Sequence, residues 1–185
     1  MLEQAKNRLL EIIKDKALKE EEAELSSGRK SNYYIDGKLV TLDPEGANLV
    51  AKIIIELLKK EQVDGIGGLT IGADPIVSAV AAISYKEGFP IPAFIVRREA
   101  KKHGMMKFIE GPIKRNSNVV IVDDVVTTGG SIEKAISEVE KEGCKVVKII
   151  AIVDRLEGAK ERFAEKGYSF ISIFTREDLG LVSVP

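Results

Sequence analysis

The stretch VVIVDDVVTTGGSI, residues 119–132, decides the fold of this chain. Four apolar residues lead into the adjacent acids Asp123 and Asp124, and two more valines precede a run of small hydroxyl residues and glycines. A continuous apolar run bounded by turn residues is typical of a strand that is buried on both faces. The stretch therefore predicts a buried strand that ends at two carboxylates, then a loop with little side chain, and then a helix.

The same alternation of strand and helix extends along the chain. DPEGANLVAKIIIELLKK (43–60) and DPIVSAVAAISYKEG (74–88) predict helices that each start at Asp-Pro, with Asp43 as N-cap and Pro44 at the first helical position. An amphipathic helix precedes them, and residues 97–112 predict a long charged loop. The remaining expected elements are strands in VDGIGG (63–68), in IPAFIV (91–96) and over 118–123, 145–153 and 168–173, and helices over about 130–142 and 157–166. This order predicts an α/β fold with a parallel sheet that is flanked by helices, in a single domain over residues 1–185.

Composition narrows the classes of protein that remain. The chain has 185 residues, of which 44% are hydrophobic and 31% charged, as in an ordinary soluble globular protein. Its net charge of −1 argues against wholesale binding of nucleic acid. One cysteine, Cys144, excludes an intramolecular disulfide, and with His103 as the only histidine a His/Cys metal site is disfavoured. Neither a signal peptide nor a membrane span is visible, so we expect a cytoplasmic protein without a membrane partner.

The TTGGS segment, residues 127–131, has the composition of a phosphate cradle. Ligands of open parallel sheets bind beyond the carboxyl ends of the strands. Glycines allow backbone N–H groups to approach an anion, and the amino terminus of the following helix favours negative charge. Asp123 and Asp124 would repel the phosphate itself, but they suit ribose hydroxyls or a cation shared with a second phosphate. The alternative is a tight strand–helix turn whose only task is to cap the helix.

The whole stretch resembles the 5-phosphoribosyl 1-diphosphate (PRPP) signature of the type I phosphoribosyltransferases. The resemblance implies the fold of that family, a parallel sheet flanked by helices, with residues 1–40 forming an N-terminal helix and a hood segment and residues 41–175 the core. It also implies that Asp123 and Asp124 hold the ribose hydroxyls and that the loop holds the 5-phosphate. The loop residues carried over in this way are Val125, Val126, Thr127, Thr128, Gly129, Gly130 and Ser131.

A basic segment, RREAKKHGMMK (97–107), is similar to the catalytic loop of the orotate phosphoribosyltransferases within that family. A cationic lid neutralises a leaving diphosphate and excludes water. The resemblance implies that PRPP is also bound by Arg97, Arg98, Lys101 and His103. It implies a catalytic set of Arg97, Lys101, His103 and Asp124. The alternative is a solvated basic loop that binds nucleic acid.

Three further segments resemble the same subgroup. LSSGRKSNYYIDGK (25–38) is similar to the hood that closes over the substrates, and VDRLEG (153–158) to the segment that supplies an arginine to the orotate ring. The orotate-binding residues implied are Tyr33, Tyr34, Thr127 and Arg155. GGLTIGADP (67–75) is similar to the pyrophosphate loop, which assigns that role to Thr70, Ile71, Gly72 and Ala73. For Arg155 the alternative is a surface ion pair with Asp154 or Glu157, and for the glycines of GGLTIGADP it is turn formation alone.

The resemblance implies transfer of the phosphoribosyl group from PRPP to orotate, which gives orotidine 5′-monophosphate and pyrophosphate in pyrimidine biosynthesis. It implies Mg²⁺, held mainly by PRPP and near Asp123 and Asp124 without direct protein ligation. It also implies a homodimer whose active sites are shared across the interface. Two other functions remain open: a purine-type phosphoribosyltransferase, and a regulator that binds RNA, DNA or PRPP on the same fold without catalysis.

Overall fold

The computed structural model describes residues 2–19, 23–24, 30–99 and 108–181. The N-terminal part comprises helix α1 (Leu2–Ile12), a π-helical turn (Ile13–Ala17) and the short strands β1 (Leu18–Lys19), β2 (Ala23–Glu24), β3 (Lys30–Ser31) and β4 (Tyr34–Ile35). The middle part comprises α2 (Lys38–Thr41), α3 (Pro44–Leu58), β5 (Gly65–Leu69), α4 (Asp74–Lys86), β6 (Ala93–Val96) and β7 (Ile109–Glu110). The last part comprises β8 (Asn118–Val126), α5 (Gly130–Lys141), β9 (Lys145–Asp154), α6 (Ala159–Glu165) and β10 (Phe170–Thr175).

A six-stranded sheet forms the centre, in the order β10-β9-β8-β5-β6-β7. All neighbouring pairs are parallel except β6 with β7. This confirms the predicted α/β fold with a parallel sheet. Two antiparallel two-stranded pairs, β1 with β4 and β2 with β3, lie in the N-terminal part.

The apolar run of β8 is buried on both faces of the sheet, as its sequence predicts. Val120 and Val122 pack in a core cluster with residues of α1, α3 and α4. Val119 and Ile121 pack in a second cluster with residues of α5 and α6. Full burial of each such side chain contributes roughly 1.5–3 kcal/mol, so the helices on both faces hold β8 firmly in place. The strand therefore presents whatever follows it at a fixed position.

The two Asp-Pro helix starts differ from each other. The Asp43 carboxylate accepts from the backbone N–H of Glu45 at 3.0 Å and of Gly46 at 2.9 Å, which confirms the N-cap prediction. The second helix also starts at Asp-Pro, as predicted, but Asp74 is the first residue of α4 and Ala73 is its N-cap. The Asp74 carboxylate instead accepts from the Thr70 hydroxyl at 2.7 Å, so it organises the preceding loop.

Two predicted boundaries were wrong. β8 does not end at the acids but continues to Val126, because its pairing with β9 persists through the pairs Val125–Val153 and Val126–Asp154. The predicted loop over 97–112 contains strand β7, which pairs with the end of β6, while residues 100–107 lie outside the described residues. The first helix changes to a π-helical turn after Ile12.

No helix among the described residues has the length and hydropathy needed to cross a membrane.

Candidate active site

Two adjacent carboxylates in β8 form the centre of the candidate site. Asp123 and Asp124 are each only 9% exposed. Burial raises the pKa of Asp123 to about 8, and the charge of Asp124 adds to that shift. The backbone N–H of Asp124 donates to Oδ1 of Asp123 at 3.1 Å, and that of Val125 donates to Oδ1 of Asp124 at 2.8 Å. The remaining carboxylate lone pairs are suited to accept ligand hydroxyls, and a buried acid pair of this kind is typical of functional sites.

Two glycines from distant parts of the chain lie against these carboxylates. A Cβ built on Gly72 would lie 2.6 Å from Oδ1 of Asp123 and 2.8 Å from Oδ1 of Asp124. A Cβ built on Gly37 would lie 2.7 Å from Oδ2 of Asp124. Only glycine allows so close an approach of backbone to a carboxylate. The loop after β5 and the turn before α2 therefore converge on the acid pair.

Two cations lie near the acid pair. The positive charge of Arg98 opposes the effect of burial on the pKa of Asp123. Lys38 donates through its ammonium to Oδ1 of Asp36 at 2.7 Å, and it also lies within the electrostatic influence of Asp124. Its pKa is raised, first by the bond to Asp36 and further by the charge of Asp124. At Asp123 the effect of burial outweighs the charge of Arg98.

The predicted phosphate cradle forms the connection between β8 and α5. Gly129 has a φ of 84°, and a Cβ built on it would lie 2.5 Å from the ring of Phe163. Both the positive φ and the close ring require glycine at this position. The helix begins at Gly130, so its first backbone N–H groups have no partner within the helix and face the start of the loop. Free N–H groups at a helix start are suited to bind phosphate, and Thr127, Thr128 and Ser131 are hydroxyl residues of the same turn.

The predicted pyrophosphate loop shares a cleft with Arg97 and Arg98, the first two residues of the predicted lid. The cleft has a volume of about 480 Å³ and is lined by Thr70, Asp74, Arg97, Arg98 and Glu110 among others. The guanidinium Nε of Arg98 donates to the carbonyl oxygen of Thr70 at 2.9 Å. Arg97 lies 3.6 Å from Glu110 across the β6–β7 pair. Of the other loop residues, Ile71 is exposed and Ala73 is buried. Two arginines are therefore placed beside a loop that also touches the acid pair.

Arg155 lies in the interior, only 3% exposed, where its guanidinium covers the ring of Tyr33 at 4.2 Å from the ring centroid. Its Nε donates to Oε1 of Glu157 at 2.9 Å, and its backbone N–H donates to the carbonyl of Val126 at 2.9 Å. The alternative of an ion pair with Glu157 is thus present, but the pair is buried and not on the surface. The contact with Tyr33 joins the N-terminal segment to the end of β9, whereas the neighbouring Tyr34 is half-buried and pairs with β1.

The structure brings together most of the residues that the sequence singled out. Val125 and Val126 extend β8, and the Val126 side chain is buried in the core, so only its backbone faces the loop connections. Lys101 and His103 lie outside the described residues. Gly37 and Lys38 were not predicted as site residues, although they lie three and four residues after Tyr34 in the same quoted segment. The glycine of YYIDGK could have indicated these two residues, because the start of a helix rarely requires a glycine.

Comparisons with known proteins cover nearly the whole chain. Residues 36–173 match the family model of the phosphoribosyl transferase domain. The orotate phosphoribosyltransferase of Rhodopseudomonas palustris (strain BisB5) is 46% identical over 171 residues, which are 90% of this chain and 91% of that protein. The crystal structure of Mycobacterium tuberculosis H37Rv orotate phosphoribosyltransferase in complex with Fe(III) dicitrate has a TM-score of 0.84 at 36% identity, covering 96% of this chain and 99% of that one. The structure of the M. tuberculosis enzyme in complex with PRPP has a TM-score of 0.81 at 33% identity, with the same coverage.

Proposed function

The chain belongs to the phosphoribosyltransferase family and, within it, to the orotate phosphoribosyltransferases, and on this basis we propose that it transfers the phosphoribosyl group of PRPP to orotate. The products are orotidine 5′-monophosphate and pyrophosphate, in the biosynthesis of pyrimidine nucleotides. The observation that carries the proposal is the contact of Gly72 with both Asp123 and Asp124. This close approach supports a diphosphate site at the Gly72 loop beside a ribose site at the two acids, and the proposed phosphate cradle follows those acids in the chain.

Each part of PRPP has a matching group in this arrangement. The N–H groups at the start of α5 and the hydroxyls of the TTGGS turn bind the 5-phosphate. Asp123 and Asp124 accept hydrogen bonds from the ribose hydroxyls, which charged acceptors bind more strongly than neutral ones do. The backbone of Thr70–Ala73 and the guanidinium groups of Arg97 and Arg98 bind the diphosphate.

Orotate is bound on the other side of the ribose. Arg155 presents a planar guanidinium, which suits a ligand with a carboxylate and amide edges. Tyr33, on which Arg155 is stacked, together with Tyr34 and Thr127, completes the base site. Because Tyr33 and Tyr34 belong to the N-terminal segment, we propose that residues 1–40 comprise an N-terminal helix and a hood segment, and that this hood closes over a core formed by residues 41–175.

The reaction depends more on alignment of the two substrates and on stabilisation of the departing charge than on a protein base. The bond between orotate N1 and ribose C1 forms while the bond between C1 and the diphosphate oxygen breaks, and the electron pair leaves with the diphosphate. Orotate N1 is acidic enough to lose its proton without a strong protein base. The chain contributes alignment of the two substrates and cations that stabilise the departing diphosphate. Lys101 and His103 complete these cations from the lid.

Mg²⁺ fits the site as an ion carried by the substrate. The described residues contain no group of three or more His, Cys, Asp or Glu that would hold a metal alone. Mg²⁺ is usually held by substrate phosphates, water and one or two carboxylates, and Asp123 and Asp124 are the carboxylates suited to lie beside it. When bound, the ion supplies positive charge that offsets the charge of the diphosphate.

The proposal extends to assembly and location. By family resemblance the lid of one subunit serves the site of its partner, so the active form is a homodimer. A cytoplasmic location follows from the substrate, since the charge of PRPP makes passage through a bilayer costly.

One assay tests the reaction. Purified protein is incubated with PRPP and Mg²⁺ and with orotate, hypoxanthine, guanine or xanthine in separate reactions, and an Asp124→Asn variant is the matched control. We expect consumption of orotate alone, and its near loss in the variant. Turnover of a purine base would assign the chain to the purine-type enzymes. Binding of PRPP without turnover of any base would support a regulator.

A further inference from the structure

Thr70, at the start of the proposed diphosphate loop, is held by three different segments. Its backbone N–H donates to the carbonyl of Val96 in β6 at 2.8 Å, and its own carbonyl accepts from Nε of Arg98 at 2.9 Å. Its hydroxyl donates to Oδ2 of Asp74, the first residue of α4, at 2.7 Å. A hydroxyl has one proton to donate, so that of Thr70 is committed to Asp74 and not to a ligand.

The other end of the loop is held by packing. Ala73 is fully buried, and a Cβ built on Gly68 of β5 would lie 2.5 Å from the Cβ of Ala73. Between the two ends, Ile71 is 61% exposed and Gly72 lies against the acid pair. The backbone N–H groups of Ile71 and Gly72 donate to no acceptor among the described residues. The loop therefore has two anchored ends and a middle whose N–H groups are available to an anion.

Stability alone does not account for an acid at position 74. Oδ1 of Asp74 is buried and has no hydrogen-bond partner among the described residues, which costs free energy. Asp74 also lines the cleft that is proposed to hold the diphosphate, where its charge would repel the ligand. What a carboxylate offers in return is a stronger bond to the Thr70 hydroxyl than a neutral acceptor would make.

We propose that Asp74 is a positioning residue for the diphosphate that acts through the Thr70 hydroxyl. It fixes the start of the loop so that the N–H groups of Ile71 and Gly72 are aimed at the diphosphate, and it does not touch the substrate itself. This inference rests on the proposed function, because it presumes that the loop binds the diphosphate of PRPP. It assigns to Asp74 an effect on the diphosphate alone, and none on the ribose or the base.

The reverse reaction tests this, because it supplies the diphosphate and the nucleotide as separate substrates. The KM values for pyrophosphate and for orotidine 5′-monophosphate, with Mg²⁺, are measured for the wild type, Asp74→Ala, Thr70→Val and the double variant. We expect each single change to raise the pyrophosphate KM roughly tenfold, as for a lost hydrogen bond to a charged group, and the nucleotide KM by less than about twofold. In the Thr70→Val background, where the bond is already absent, Asp74→Ala adds less than about twofold. Additive rises, equal rises in both KM values, or a lower pyrophosphate KM in Asp74→Ala would each overturn the inference.

A rescue and a matched control keep the test decisive if Asp74→Ala fails to fold. Thr70→Ser keeps the hydroxyl, so its pyrophosphate KM should stay within about threefold of the wild-type value. The control is Thr175→Val, which removes a second threonine–aspartate bond, 2.9 Å from the Thr175 hydroxyl to Asp178, at the end of β10 and two strands away from β8. It should leave both KM values unchanged, and a rise in the pyrophosphate KM as large as that of Thr70→Val would overturn the inference. A wild type without turnover in either direction would overturn the proposed function as well, whereas an active wild type matched by an unaffected Asp74→Ala would overturn this inference alone.

Discussion

The guanidinium of Arg155 covers the ring of Tyr33 at 4.2 Å, so a residue at the end of β9 holds a residue of the N-terminal segment directly. Arg155 also donates to Glu157 at 2.9 Å, which fixes the plane of its guanidinium. One arginine therefore has two structural partners and a proposed ligand. The three interactions can be tested separately, because the loss of each should have a different effect on substrate affinity and on stability.

Replacement of Arg155 should affect orotate more than PRPP. We expect Arg155→Ala to raise the KM for orotate by roughly 10- to 100-fold, the range for a lost hydrogen bond to a charged ligand, and the KM for PRPP by less than about threefold. Steady-state kinetics with each substrate varied in turn measures both values. Glu157→Gln is the control, because it removes the ion pair and keeps the guanidinium. If Glu157→Gln raises the orotate KM as much as Arg155→Ala does, the arginine serves the ion pair and not the base.

The raised pKa of Asp123 predicts how stability depends on pH. In the unfolded chain an aspartate is ionised above about pH 4, whereas burial and the charge of Asp124 raise the pKa of folded Asp123 to about 8. Between these values the folded state binds more protons than the unfolded state, so the free energy of unfolding falls as pH rises through that window. Asparagine cannot ionise, so Asp123→Asn removes this contribution to the fall.

Thermal unfolding at pH 5 and pH 8 checks this expectation. The midpoint of Asp123→Asn, relative to that of the wild type, should be higher at pH 8 than at pH 5. The same variant should lose most of its activity, because the ribose site has lost one of its two carboxyl groups. An equal midpoint difference at both pH values would contradict the raised pKa.

Two neighbouring glycines in the cradle should respond differently to alanine. Gly129→Ala places a side chain at a φ of 84° and against the ring of Phe163, which should lower the free energy of unfolding on the order of 2–4 kcal/mol. For Gly130, no heavy atom of the described structure beyond its chain neighbours and its own helix backbone lies within 4 Å of a built Cβ, so Gly130→Ala should change stability by less than about 1 kcal/mol. Urea unfolding of both variants gives the comparison. Equal losses would mean that the turn does not have the described geometry.

The chain's local patterns predicted much of this fold, but not the features that depend on pairing or packing between distant segments. The alternation of apolar runs and amphipathic helices predicted the order of elements and the parallel sheet. The end of β8 was placed too early because the acids interrupt the apolar pattern, although backbone pairing with β9 does not depend on side chains. Strand β7 has two residues, too few to show a period.

The same distinction applies to the site. Asp123, Asp124 and the TTGGS turn form one continuous motif, so the sequence was sufficient to predict them together. The approach of Gly37 and Gly72 to the acids comes from tertiary packing of three segments, and a lone glycine is equally typical of a turn. Arg155 was predicted by resemblance, but its stacking on Tyr33 depends on how the N-terminal segment lies over β9.

The last prediction concerns the lid and the proposed dimer. The lid starts where β6 pairs with β7, next to the cleft that holds Arg97 and Arg98. Lys101 follows in the part of the lid outside the described residues. Loss of one such cation should lower kcat on the order of 10²–10³-fold, as for a lost transition-state donor. The Lys101→Ala and Asp124→Asn variants should therefore each be nearly inactive alone, and the two defects lie in different segments of the chain.

Mixing these two variants distinguishes a lid that serves its partner from one that serves its own subunit. If the lid crosses the interface, a mixed dimer has one site with both defects and one intact site. Random mixing makes about half of the dimers mixed, so activity should recover to about a quarter of the wild-type value. Exchange of subunits is verified by native mass measurement, and each variant mixed with itself is the control. If activity does not recover after exchange is verified, the prediction of a shared site is contradicted. Either Lys101 then serves its own subunit, or a dimer needs both sites intact to be active.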